Sequence, residues 1–408
     1  THNKARQESF NQDPLITRAI SARILLGLYK AAERVVADAQ AITTPIQLFI
    51  SGADWVVHHK PQHDFYNHLG SHIKERHVMS GFYHDTLGEQ NNHLVFEPMR
   101  RFIRERFEAP LQTIDCTQAH IAGPSRVEAD ELATPLSPYS PRGLFWASYR
   151  ALMKLGSRWS EGLRIGQETG YDSGSTLDYV YQNQPQGTNA FGRLVDKNYL
   201  NAIGWRGIRQ RKANIAKAIN LAMTKLREVG KPVDVLDIAS GHGRYVLDAL
   251  TAENHPDSVR LRDYSQINVA AGRKLIAERG LQEIVSFDEV NAFDPANYQA
   301  LTPRPTLGIV SGLHELFADN DLIMHSLNGF GTAIETGGYL IYTGQPWHPQ
   351  LELIARCLTS HKEGSPNWVM RRRSQQEMDQ LVEKAGFRKI HQWIDEDGIF
   401  TVSLAVKI

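Results

Sequence analysis

Two stretches carry residues that could hold a cofactor and one carries residues that could move a proton. The apolar run Val233–Ile238 ends in Ala239-Ser240-Gly241-His242-Gly243, and a helical pattern follows over 245–250. Such a run reads as a buried parallel strand. Glycines in the turn let the backbone approach a ligand and adopt φ > 0. The helix behind them offers free N–H groups and a positive dipole end. This is a nucleotide-type cradle, but no dinucleotide fingerprint, because Val246 stands where a third glycine belongs, and no P-loop Gly-Lys-Ser/Thr follows. A second run, Val259–Leu261, leads to Asp263. A carboxylate there can accept hydrogen bonds from ribose hydroxyls. Asp263 and Ser265 also suit the N-cap of a helix over 266–279. His314 and Glu315 follow a third apolar run, Leu307–Val310. The histidine could serve as a base with the glutamate orienting it or binding substrate; the alternative is a packed core histidine.

Further strands are expected at Ile284–Phe287 and Tyr339–Thr343, and after Phe387 and Gly398, with helical patterns between them. Strands alternating with helices predict an α/β fold with a largely parallel sheet. Tyr342, Gln345, Trp347 and His348, at the end of the fifth strand, are expected to line an acceptor pocket.

The series Asp237, Ala239, Gly241, Gly243 resembles motif I of the class I methyltransferases that use S-adenosyl-L-methionine. The resemblance implies a Rossmann-like, seven-stranded domain over 230–408. It also implies that Asn291 and Ala292 touch the adenine, and that Tyr264 and Ser311 join Asp263 in the cofactor site. Residues 143–229 would form a helical lid ahead of the domain. In that lid, Tyr179 would cover the cofactor, and Arg206 or Arg209 would pair its methionine carboxylate in a bidentate fork. The alternative for both arginines is a solvated basic helix start.

The front of the chain, 1–110, resembles the C-terminal part of an α/β-hydrolase. Helical spacing marks Leu15–Ala39 and Val95–Phe107, and strands are expected at Ile46–Ile50 and Ile73–Met79. Asp54 and His84 match that family's acid and base in order and spacing, but no Gly-x-Ser-x-Gly elbow precedes them. The segment is therefore expected to be an incomplete, inactive hydrolase. The histidines at 58, 59, 63, 68, 72 and 77 lack metal-site spacing, so no metal is expected. Residues 111–142 are rich in turn formers and read as a linker. Taken whole, the chain resembles bacterial proteins that fuse an α/β-hydrolase to a class I methyltransferase, here without the nucleophile-bearing part.

The 408 residues are 41% hydrophobic and 22% charged, which predicts a globular chain of more than one domain. Lys plus Arg equals Asp plus Glu at 45 each, giving no electrostatic case for nucleic acid or an acidic membrane surface. Cys116 and Cys357 are the two cysteines, a usage that fits a reducing, cytoplasmic setting. No apolar run is long enough for a transmembrane helix. No signal peptide is expected, and a start at Thr1 fits a piece of a longer protein. The expected function is methyl transfer to a small-molecule acceptor at oxygen or nitrogen. A serine hydrolase using Asp54 and His84, or a non-catalytic cofactor-binding module, is the competing reading.

Overall fold

The computed structural model describes residues 1–17, 19–110, 114–251, 255–362 and 367–408. They fall into two compact units, Thr1–Ile114 and Asp115–Ile408.

In the first unit, β1 (Ile46–Ser51) pairs in parallel with β2 (Lys74–Met79), running from Ile46↔Lys74 to Ser51↔Met79. Helices Ala22–Ala37, His59–His68 and His93–Glu108 accompany them. Many apolar side chains of this unit stay exposed, among them Leu26, Leu28, Trp55 and Phe107.

The second unit is built on a seven-stranded sheet. Its strands are β3 (Asp234–Ile238), β4 (Ser258–Asp263), β5 (Val285–Glu289), β6 (Leu307–Val310), β7 (Tyr339–Gly344), β8 (Phe387–Ile394) and β9 (Thr401–Lys407). Their spatial order is β5-β4-β3-β6-β7-β9-β8; the first five are parallel and β9 runs antiparallel to both neighbours. Order reverses beside β3, and ligands of such sheets bind at that switch point, beyond the carboxyl ends of the strands.

Alternation along the strands sends side chains to two cores. Val235, Leu261, Ile309 and Val402 meet one face, covered by Ile215, Ile219, Ala222 and Leu226 of the helix Ile203–Glu228. Leu236, Val310, Leu340 and Ala405 meet the other, covered by Leu327 and Phe330 of Asn320–Ala333 and Leu381 of Gln375–Lys384. A third core sits among the helices Glu161–Thr169, Gly174–Gln182 and Ala190–Leu200, with Trp205, Ile354 and Phe400.

Two expected boundaries change. Residues 111–113 lie outside the described residues, but the rest of the stretch read as a linker is packed structure. From Asp115 on it belongs to the second unit and carries the helix Pro124–Ala133. Arg356 donates to the carbonyls of Glu131 and Thr134, and Arg372 forks onto Glu128. Its turn formers satisfy helix ends instead of making a tether. Likewise, only the front of 143–229 caps the sheet. Helix Ile203–Glu228 is a layer of the sandwich, because its apolar stripe lies on the sheet. At the start of 143–229 two helices, Pro141–Gly156 and Glu161–Thr169, carry the aromatic residues, and the Ser160 side chain caps the second.

Candidate functional site

The site forms where β3 ends. Ala239 (φ 52°), Gly241 (φ 57°) and Gly243 (φ 74°) all take left-handed backbone, which an ordinary residue resists. The helix behind the turn is only Arg244–Leu247. The cradle is therefore the turn's own amides, not the dipole of a long helix.

Asp263, at the end of β4, is buried and holds this turn. Its Oδ2 accepts from the Gly241 N–H at 2.9 Å; its Oδ1 accepts from the Ser265 N–H at 2.9 Å and Asn268 Nδ2 at 3.0 Å. Burial nonetheless pushes its carboxyl up, against those three donors. Ser265 is also the cap of the helix Gln266–Glu278, so the turn and cap roles coexist on neighbouring residues. Asp237 lies beneath the turn instead of facing the cavity. It is fully buried, accepts from the Tyr245 hydroxyl, and is pushed up to about 7 by burial. Its Oδ2 has no partner among the described residues.

A cavity of about 930 Å³ opens over the turn. Ala239, Gly241, Gly243, Asp263, Tyr264, Asn291, Ala292 and Ser311 all line it, so the structure brings these sequence-nominated residues together. The Ser311 hydroxyl is buried with no hydrogen-bond partner among the described residues. On the opposite wall the helix Gly174–Gln182 crosses the turn so closely that a methyl group on Gly174 would meet the Gly241 Cα at 2.8 Å. Asp178 of that helix receives a two-point hydrogen bond from Arg244, with His242 3.6 Å away. Although burial opposes it, hydrogen bonds from His242 and Arg244 hold the Asp178 carboxyl well below the usual carboxylate range.

Three residues expected in the lid over the cofactor are elsewhere. Tyr179 faces the third core and donates to Asp196 at 2.7 Å; Tyr181, from the same helix, lines the cavity in its place. Arg206 is exposed and pairs with Asp397. Arg209 donates to the Leu200 carbonyl at 2.7 Å, closing the end of the helix Ala190–Leu200. Arg211 is the arginine that turns inward. Two residues on is roughly 200° around a helix, and Arg211 is 3% exposed. Its position continues the buried series Ile208, Ile215, Ile219. A charge at a core position was the signal that could have found it.

A second cavity, of about 340 Å³, is shaped mainly by apolar and aromatic side chains, with Arg211, Glu315, Gln345 and His348 among its polar lining. Asp172, Leu177, Gly312 and Leu316 line both cavities, so the two adjoin. His314 lines neither. Its ring is fully buried, Nε2 lies 2.8 Å from the Ser326 hydroxyl, and burial pushes it down to about 3. It is the packed histidine, not a base, because the turn Leu313–Leu316 sends Glu315 to the cavity and His314 to the core. Trp347 and Tyr342 also miss the second cavity; the Tyr342 hydroxyl donates to Asp379 at 2.7 Å.

In the first unit His84 Nδ1 lies 3.0 Å from Asp54 Oδ2, and Asp54 Oδ1 accepts the amides of Val56 and Val57. Among the described residues no serine hydroxyl is hydrogen-bonded to the His84 ring. His59 contacts the Ser51 carbonyl, His63 contacts Arg76 and His77 contacts Glu75. The three-residue group that could hold a metal among the described residues is His120, Asp319 and Asp321, outside both cavities. No helix of the described residues is long and apolar enough to cross a membrane.

Comparison with known proteins finds two family models along the chain. Residues 99–407 match the family model described as "Putative methyltransferase", and residues 1–91 match "Serine aminopeptidase, S33". The chain is 57% identical over 407 residues to "Uncharacterized protein YnbC" of Escherichia coli (strain K12), covering 100% of this chain and 69% of that one. A crystal structure of a possible exported protein from Bordetella parapertussis is 18% identical, with a TM-score of 0.51, covering 71% of this chain and 96% of that one. A magnesium protoporphyrin IX methyltransferase from Synechocystis with bound SAH is more distant, at 12% identity and a TM-score of 0.40, covering 59% and 97%. The chain therefore belongs to the methyltransferase family whose model spans most of its length, with a hydrolase-like segment joined ahead of it.

Proposed function

We propose that this chain is an S-adenosyl-L-methionine-dependent methyltransferase whose acceptor is a small molecule. The observation that carries the reading is the junction of two cavities at the switch point of the sheet. The larger fits the cofactor: a left-handed glycine turn, a buried carboxylate at the end of the neighbouring strand, and the unpartnered Ser311 hydroxyl surround it. Asp263 would hold the ribose, and the Asn291–Ala292 stretch would face the adenine. The cofactor supplies a methyl group on a sulfonium, ready for in-line displacement.

The protein's own contribution is alignment and exclusion of water, where oriented reactants gain on the order of 7–11 kcal/mol. The helix Gly174–Gln182 closes over the turn and is fastened by the Asp178–Arg244 pair. Gly312 and Leu316 stand at the opening between the cavities, where the acceptor atom would meet the methyl group. Calorimetry with S-adenosylhomocysteine tests the cofactor site, and a methyl-transfer screen over metabolite pools tests catalysis. Absence of S-adenosylhomocysteine binding would overturn the assignment; binding with no transfer to any pool would favour a binding module.

The Asp54–His84 pair has hydrolase geometry, and we read it as inactive in this chain for want of a nucleophile. Generic acyl esters should turn over at background. Turnover well above background that is abolished by His84→Ala would show that the chain does supply a nucleophile.

A further inference from the structure

We infer that the second cavity takes an uncharged, ring-bearing phenol, and that Glu315 receives its proton as the oxygen is methylated. This rests on the cofactor reading above and adds to it the class of acceptor.

The walls set the body of the ligand. Trp205, Trp368, Tyr199 and Phe400, with Met153 and Leu163, give flat apolar faces around a space of about 340 Å³. That is a size typical of small-molecule pockets, and aromatic walls favour a ring over a flexible chain.

The polar groups set its charge and its handle. Arg211 Nη1 lies 3.8 Å from Glu315 Oε1, with side chains 3% and 8% exposed, and the guanidinium packs over Phe400 at 5.1 Å. Arg211 and Glu315 offset each other, and Asp172, the other charged group of the lining, is taken up by the Ser360 hydroxyl at 2.6 Å and the His361 amide at 2.8 Å. An anionic acceptor would face Glu315 without a cation of its own, and a cationic one would face Arg211. Thr343 donates to Glu315 Oε1 at 2.7 Å, while Oε2 is buried and has no partner among the described residues. A carboxylate oxygen only accepts, so the ligand must bring an O–H or N–H. His348 supplies the complementary donor. Its Nδ1 accepts the Gln350 amide at 3.0 Å, which leaves the ring proton on Nε2. Burial pushes this ring down to about 4, so it is neutral at pH 7 and donates from Nε2.

Proton chemistry separates a phenol from the other donors. A neutral amine attacks through its lone pair and requires no base beforehand. A hydroxyl must shed its proton as the new bond forms. A carboxylate is a weak base, and a phenol near pKa ~10 gives up its proton far more readily than an aliphatic alcohol, close to water at about 15.7. In the balanced step the phenol oxygen forms the O–C bond, the methyl C–S bond breaks with its electron pair going to sulfur, and the hydroxyl proton passes to Glu315 Oε2. Glu315 then returns that proton to solvent.

The test uses the full chain with S-adenosylhomocysteine bound, titrated by calorimetry with 2-naphthol, 2-naphthoate and 2-naphthylmethanol. Methyl transfer to each compound is then followed with the active cofactor. We expect 2-naphthol to bind at least ten-fold more tightly than 2-naphthoate, and to be methylated in preference to 2-naphthylmethanol. In Glu315→Gln, S-adenosylhomocysteine should bind as before, which also reports folding. Its affinity for 2-naphthol should fall about ten-fold, as a charge-assisted hydrogen bond becomes a neutral one, and transfer should fall roughly 10²–10⁴-fold. Equal or tighter binding of 2-naphthoate by the unaltered chain would overturn the inference even if the variant does not fold. So would undiminished transfer in Glu315→Gln, or equal transfer to the aliphatic alcohol. Failure of S-adenosylhomocysteine to bind would overturn the cofactor reading first; its binding without phenol preference overturns this inference alone.

Discussion

Asp263→Asn asks whether one carboxylate both shapes the glycine turn and binds the cofactor. An ionised carboxylate offers about four lone-pair sites, and the structure uses three, for Gly241, Ser265 and Asn268. One site is left for a ribose hydroxyl. An asparagine has a single acceptor oxygen. If that oxygen keeps Ser265 and Asn268, its NH₂ faces the Gly241 N–H, donor against donor. If it flips, two donors are stranded, so the first arrangement wins. A buried N–H without a partner costs about 1–3 kcal/mol, and Asp263 is 4% exposed, so water offers little relief. Stability should fall by that amount, read as a lower urea midpoint with unchanged slope. The ribose loses one charge-assisted bond of about 1.5–3 kcal/mol, so S-adenosylhomocysteine should bind on the order of ten- to a hundred-fold more weakly. Calorimetry on the folded variant separates the two effects. An unchanged urea midpoint together with affinity within about two-fold of the parent would refute the reasoning from lone pairs.

Acid should destabilise the second unit through two buried histidines, offset in part by Asp237, whose carboxyl is pushed up to about 7 and takes up its proton in the same range. His314 and His348 are pushed down to about 3 and about 4 by burial, so stability is full above the unfolded histidine value near 6.5 and is lost as pH falls from there toward those folded values. Each contributes a slope of about 1.4 kcal/mol per pH unit in that window, and His314→Gln should remove one of the two; identical slopes for variant and parent in urea titrations at pH 5 to 6.5 would count against it. Asp178→Asn should loosen the helix Gly174–Gln182 from Arg244, raising proteolysis of 171–182 without ligand and restoring protection when S-adenosylhomocysteine binds. Protection unaffected by both the substitution and the ligand would show that this helix is a fixed wall.

What the sequence determined is what local spacing determines. The apolar runs at 233, 307 and 339 became the central parallel strands because a strand buried on both faces has to be apolar nearly throughout, and such a run is visible without any partner; those at 259 and 285, toward the edge of the sheet, alternate instead. The left-handed turn was legible because glycine marks it, and Asp263 because it stands where the second strand ends beside that turn. Asp54 and His84 were legible as a spaced pair, and they meet at 3.0 Å. Which face of a helix or turn a residue takes was decided only by tertiary packing. Arg209 and Arg211 lie on one helix, yet one closes a neighbouring helix and the other enters the second cavity. His314 and Glu315 are adjacent, yet a single tight turn sends one to the core and the other to the second cavity. Tyr179 and Tyr181 divide in the same way between the third core and the larger cavity. Residue type and spacing select the chemistry available. The direction of each side chain depends on which neighbours bury it, and those neighbours lie far away in the chain.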